Sequence, residues 1–226
     1  MKIRVDDNVL DLTEKKSIST PLGMFDAYVL DLMQSSVDVI AGEFEGGYLL
    51  ITNGEVGSIA LSGYIDMLYL NSVSVDYMDM NVGYAVFVDS RLEEGEISLQ
   101  DGIEIRESKV ADVHIKADEI KRIAISSSRL EKVDISVDKV DMVILHGRGK
   151  APLEILSGLW KMESVNTLWL IGRQIWDGGV RLEIDTYKNF IGELLKNVEL
   201  KEAYVPRWIE WMISLREVER EFSRII

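Results

Sequence analysis

The sequence predicts a mainly β fold: a parallel β-solenoid of about six to seven 20-residue coils, with an N-terminal hairpin and helix and C-terminal capping helices. Three observations predict it. Apolar residues recur in one pattern, h-x-x-h-x-h, at Ile120, Ile123 and Ile125, at Leu130, Val133 and Ile135, and at Val140, Val143 and Leu145. Short h-x-h triplets continue that beat in two interleaved series with a common period of roughly 20 residues, a length typical of solenoid repeats. Helical spacing is confined to the two ends. Self-similarity at such a period is the mark of a repeat architecture. One coil cannot bury its own apolar face, whereas a stack can. The alternative is an antiparallel β-sandwich plus helices, which also shows short strands at spacings of about 8–12 residues. Against it, two-residue hairpin turns are scarce and the register persists.

Residues 1–36 form an N-terminal cap in this reading. In "KIRVDDNVLDL", Ile3 and Val5 alternate, Asp7-Asn8 supply a turn, and Val9 to Leu12 return as a hairpin. "STPLGMFDAYVLDLMQSS" reads as a helix: Ser19 or Thr20 caps it and Pro21 sits at the first helical position. Leu22, Phe25, Val29 and Met33 then share a face. Residues 37–184 are the repeat domain. One series of triplets is LLI (49–51), LYL (68–70), VFV (86–88), IEI (103–105), IAI (123–125), VIL (143–145) and LWL (168–170). The second lies between them, from IAL (59–61) to LEI (182–184). Turn formers mark the corners: Asn53-Gly54, Asn71-Ser72, Asp89-Ser90, Ser126 to Ser128 and His146-Gly147. Residues 185–226 read as a helical cap. Phe190, Ile191, Leu194 and Leu195 make one stripe, and Trp208, Trp211, Leu215, Val218, Phe222 and Ile225 another, spaced 3, 4, 3, 4, 3. That second stripe is expected to close the open end of the stack or to join two copies, since an uncapped parallel edge invites association.

"MESVNTLWLIGRQI" (162–175) resembles a leucine-rich repeat, with Val165, Leu168 and Leu170 at the L-x-x-L-x-L positions and Ile175 beyond. Ile120, Ile123, Ile125 and Leu130 take the same form. The chain departs from that family at the asparagine position, where Ser128 and Arg173 stand. The doubled ten-residue beat is similar to BspA-type repeats or to a plain parallel β-helix. The resemblance implies a binding surface and no shared catalytic residue.

Composition narrows the chemistry. The 226 residues are 47% apolar and 28% charged and contain no cysteine, which removes disulfides, thiolate metal sites and thiol nucleophiles and fits a reducing compartment. No apolar run reaches membrane-spanning length, and "MKIRVDDNVLDL" has no signal-peptide core; the expectation is a cytoplasmic protein off the membrane. The net charge is −14, and between Lys16 and Arg91 ten acids occur without one Lys or Arg. Such a surface repels phosphate backbones, so no nucleic acid is expected as a partner. It keeps the chain soluble, and it also fits a basic protein partner, with Asp66, Asp76, Asp79 and Asp89 as candidate contacts.

Motifs for chemistry are weak. His114 and His146, with Asp112 and Asp118 near the first, fall short of a metal ligand set. Asp76 and Asp79 lack the D-x-D-x-D-G calcium loop. "HGRGKAPLE" (146–154) has part of a phosphate loop, but Pro152 follows where a Ser or Thr is required. Ser126 to Ser128 read as corner residues, and no G-x-S-x-G occurs. No cofactor is expected. The leading expectation is a non-catalytic scaffold that binds a protein partner through an acidic face. The alternatives are a carbohydrate-active enzyme using an Asp/Glu pair on a β-face and a structural subunit assembling through the C-terminal stripe as a homo-oligomer.

Overall fold

β-Branched residues at alternate positions favour extended backbone, because every second side chain then turns into one apolar layer. The computed structural model describes residues 2–20, 23–146, 162, 164–171 and 199–204. In it the triplets that fall within those residues form a parallel β-solenoid of about six coils; the LEI triplet at 182–184 lies outside them. The strands are β1 (Lys2–Val5), β2 (Asn8–Asp11), β3 (Lys15–Thr20), β4 (Gly23–Glu45), β5 (Tyr48–Val88), β6 (Arg91–Arg106), β7 (Lys109–Ser126), β8 (Arg129–Leu130), β9 (Asp134–His146), β10 (Ser164–Ile171) and β11 (Glu199–Tyr204). They join one sheet in the order β11-β10-β9-β7-β6-β5-β4-β1-β2, with β3 on β4 and β8 on β7.

Two walls repeat in each coil. The first wall holds the first series of triplets: Ile103 pairs with Ile123, Ile123 with Val143, and Val143 with Leu168. The second wall holds the other series: Met80 pairs with Ile97, Ile97 with Ile115, and Ile115 with Ile135. Stacking like on like builds one continuous core from Ile3 to Val165. Ile103, Ile123 and Val143 are wholly buried, and each such side chain contributes about 1.5–3 kcal/mol by leaving water.

After the first wall the chain turns through a left-handed residue, once per coil: Asn53, Ser72, Asp89, Glu107 and Ser127 all have φ between +48° and +57°. Four of the corners read from the sequence, Asn53-Gly54, Asn71-Ser72, Asp89-Ser90 and Ser126 to Ser128, are here; His146-Gly147 runs outside the described residues, and Glu107-Ser108 adds one that sequence reasoning missed. At the opposite bend Gly63 takes φ +83°, and a Cβ there would run into the Phe44 carbonyl, so only glycine is comfortable.

The N-terminal edge is closed by strands. β1 pairs antiparallel with β2 through a turn at Asp6-Asp7, one residue earlier than the sequence reading placed it, and antiparallel with β4 at Ile3–Gly42. β3 pairs antiparallel with the start of β4, Ile18 on Phe25. The expected helix from Ser19 to Ser36 is therefore corrected: it is part of β3, then β4, with Pro21 and Leu22 outside the described residues. Tertiary pairing on both sides of β4 overrides the local 3-4 spacing. Leu30 faces the core, whereas Met33 is 81% exposed at φ +53°, a conformation no right-handed helix contains. Parallel pairing begins at Tyr28–Leu49, ahead of residue 37.

A second correction falls at Glu199–Tyr204, inside the segment read as a helical cap. It is strand β11, held parallel to β10 from Ser164–Glu199 to Trp169–Tyr204; the unpaired edge of β10 recruits it against the helix propensity of its Glu, Leu, Lys and Ala. The rest of the expected cap, including Trp208, Trp211, Leu215, Val218, Phe222 and Ile225, lies outside the described residues, as do Gly147 to Pro152 of the phosphate-loop-like stretch. Among the described residues no helix is long and apolar enough to cross a membrane.

Candidate functional site

A left-handed corner leaves backbone N–H groups that the ladder cannot use, and buried ones need partners. Serine supplies them. Ser90, Ser108 and Ser128 are buried in one column just past the corner. Each hydroxyl donates to a carbonyl two residues back, Ser90 to Val88 (2.8 Å), Ser108 to Arg106 (2.6 Å) and Ser128 to Ser126 (2.7 Å). Each also accepts an N–H from the preceding coil: Val73 to Ser90 (3.2 Å), Ser90 to Ser108 (3.0 Å) and Ser108 to Ser128 (3.2 Å). Each of these hydroxyls both donates and accepts within the corner, so Ser128, like Ser90 and Ser108, holds the bend. In the first coil Asp31 serves the same bend, accepting from the Met33 N–H (3.0 Å) and the Asn53 amide (3.2 Å); those two bonds hold its carboxyl below the usual range.

An open groove of about 780 Å³ follows this corner. Ser72, Asp89, Glu107 and Ser127 form one side and Arg91, Lys109 and Arg129 the other. The three cations stack rung on rung. They are neutralised from the same side: Arg91 by Glu93, Arg129 by Glu131 at 2.7 Å, and Lys109 by both acids at 3.9 and 3.8 Å. Among the described residues the groove has balanced charge, Glu55, Asp89 and Glu107 against Arg91, Lys109 and Arg129, and no spare cation column for a phosphate.

The second wall differs. Along its outward side Asp79 lies in register with Glu96, and Glu94 with Asp112, with Tyr77 (42% exposed) beside Glu94. Adjacent rungs are about 4.8 Å apart, and like charges in register destabilise a sheet. Cations enter at one end: Lys116 meets Glu96 at 3.1 Å and Lys132 meets Asp112 at 3.9 Å. His114 points outward, as the sequence implied, and its Nδ1 lies 3.2 Å from the Asp134 carboxylate. His146 Nδ1 lies 3.1 Å from the Ser126 hydroxyl on the first wall, so the two histidines sit on different walls. Among the described residues no group of three or more His, Asp or Glu is placed to hold a metal.

The four aspartates singled out from the sequence are all exposed, but they do not gather. Asp66 stands before the first wall, where its carboxylate accepts the Gly47 N–H at 2.6 Å and holds a glycine corner. With Asp101 it also faces Tyr64, whose hydroxyl is raised first by burial and then by those two charges. Asp89 is a corner residue in the groove, 3.4 Å from the Ser72 hydroxyl. Only Asp76 and Asp79 share a neighbourhood, at the entrance and on the outer side of the second wall. Glu94, Glu96 and Asp112, which complete the acidic patch, were missed. Their signal was available in the near-constant step from one coil to the next, which places Asp79 on Glu96 and Glu94 on Asp112. Neither the protein-family models, nor the curated proteins, nor the solved structures compared with this chain give a match.

Proposed function

We propose that the chain is a non-catalytic scaffold that binds a basic protein partner through the outer side of its second wall. One observation carries this reading: carboxylates stacked in register, Asp79 on Glu96 and Glu94 on Asp112. Folding alone does not favour that arrangement, because it costs stability. A rigid stack of rungs holds the four charges at fixed spacing, and Tyr77 at their edge adds an exposed aromatic of the kind that anchors interfaces. The leucine-rich-repeat form of residues 162–175 fits the same reading, since such repeats present binding surfaces. The complementary potential would raise association rates and make binding sensitive to salt.

The test compares the protein with a variant carrying D79N, E94Q, E96Q and D112N. The expected result is capture of a basic protein at low salt by the wild type, its release at high salt, and no capture by the variant. The variant should also melt at the same or a higher temperature, because the like-charge contacts are gone and the two ion pairs lost with them, Lys116–Glu96 and Lys132–Asp112, are exposed and contribute little. Equal capture by both proteins, or no partner together with polysaccharide hydrolysis, would sink the proposal.

A further inference from the structure

The residues that follow the left-handed corners are Gly54, Val73, Ser90, Ser108 and Ser128. The N–H groups of Val73, Ser90 and Ser108 each donate to a serine hydroxyl on the next coil. Gly54 breaks the series. Its counterpart one coil on is Val73, a buried side chain that accepts no hydrogen bond. The Gly54 N–H thus lacks the hydroxyl that restrains its three counterparts. Glycine also has no side chain to shield its own nitrogen. The residue before it is Asn53, and the two form the one Asn-Gly pair of the chain. The fold favours both members. A Cβ on Gly54 would lie 2.6 Å from the Leu32 Cβ and 2.7 Å from the Ser35 carbonyl oxygen. Asn53 stands at φ +57°, in a region that asparagine enters more readily than most residues. Asn53 is exposed, and both residues line the open groove, so water reaches them.

We propose that Asn53-Gly54 is a self-modification site, at which the folded chain converts its own asparagine to aspartate or isoaspartate. The Gly54 nitrogen attacks the Asn53 Cγ and forms a new C–N bond. The bond from Cγ to Nδ2 breaks, and Nδ2 leaves as ammonia with the proton that Gly54 gives up. Water then opens the cyclic imide at either carbonyl. Opening at the backbone carbonyl yields isoaspartate, whose main chain runs through the former side chain; opening at the other yields aspartate. The product changes the first bend. The Asn53 amide now donates to the Asp31 carboxylate and to the Thr52 hydroxyl, both at 3.2 Å. A carboxylate in its place donates to neither and sets a like charge beside Asp31. The reaction is one-way, removes a bond that holds the first corner, and adds a negative charge to the N-terminal end of the groove.

The test follows the full-length folded protein in mildly alkaline buffer, which favours loss of the Gly54 N–H proton. Cleavage after Glu45 and Glu55 releases residues 46–55 as one peptide with Asn53 as its single asparagine. That peptide is expected to gain one mass unit and to separate into aspartate and isoaspartate forms, well ahead of any change at Asn71 or Asn81. Val73→Thr keeps the shape of the side chain and supplies the missing hydroxyl. It is expected to slow the reaction at Asn53 by about fivefold, the factor that one net hydrogen bond represents. A parallel sample unfolded in urea needs no variant. Asn53 that stays intact in the folded protein while it reacts in urea would show that the fold protects the pair, and would overturn the proposal. An equal rate at Asn71, or a rate unchanged in a folded Val73→Thr protein, would overturn it as well.

Discussion

At the scale of single residues, the corners decide how the coil is held. The Ser108 hydroxyl takes the Ser90 N–H at 3.0 Å and gives its proton to Arg106 O at 2.6 Å. Ser108→Ala would leave that N–H buried and unpaired, a loss of about 1–3 kcal/mol, to be read from urea denaturation; an unchanged midpoint would refute the role. Glu107, at φ +48°, is expected to tolerate Asn, which visits the left-handed region readily, and to lose about 1–2 kcal/mol with Val. Tyr84 gives a pH signature. Burial, ahead of the charges around it, pushes its hydroxyl up to about 12 from an ordinary value of 10.0. A raised folded value means that the native state keeps a proton the unfolded chain gives up. The contribution is thus complete below about pH 10 and is lost as pH rises toward about 12. Tyr84→Phe should flatten the fall in stability across that window, and an unaltered slope would place the titration elsewhere. The turn chemistry behind most corners was legible as Asn, Ser, Asp and Gly between triplets. The hydroxyl ladder was not, because it depends on which serine lies past the corner and on a partner one whole coil away.

At the scale of elements, the same contrast separates what local pattern encodes from what pairing imposes. The triplets at Leu49, Leu68, Val86, Ile103, Ile123 and Val143 carry their own strand signal, and all lie in strands. Phe25, Val29 and Met33 carry a helical spacing that the edge of the stack overrules, since β4 is fixed by β3 on one side and β5 on the other. The acidic patch was half legible for a related reason: Asp76 and Asp79 stand out in one coil, but their companions appear only once the rungs are in register. The N-terminal strands then have a definite task. β1 covers Ile40 to Gly42 of β4 and carries β2 outside it, where Val9 is 68% exposed. Deleting residues 1–12 would bare the edge of β4, and the truncated chain is expected to self-associate in a concentration-dependent manner. Light scattering checks this. A truncated protein that stays monomeric at high concentration would show that β3 alone closes the stack.

At the scale of the whole molecule, the solenoid is a one-dimensional stack whose coils touch only their neighbours, so its stability is a sum of coil and interface terms. Position along the stack should therefore matter as much as burial. Ile103 and Ile3 are both buried, at 0% and 1% exposure, and replacing either with Ala costs about 2–5 kcal/mol locally. Their reach differs. Ile103 sits on β6, between β5 and β7, and couples the two halves of the core. Ile3 sits on β1, with only the hairpin beyond it. Native-state hydrogen exchange on Ile103→Ala is expected to lose protection on both sides of β6, from β5 through β9, as the two halves open independently. Ile3→Ala should lose protection in β1, β2 and the adjoining part of β4, while β6 to β9 keep theirs. The acidic patch spans β5 to β7, so its fixed spacing depends on the coupling that Ile103 provides. Uniform loss of protection in both variants would mean that the stack unfolds as one unit, and that the rigidity of the binding wall belongs to the whole chain rather than to its middle coils.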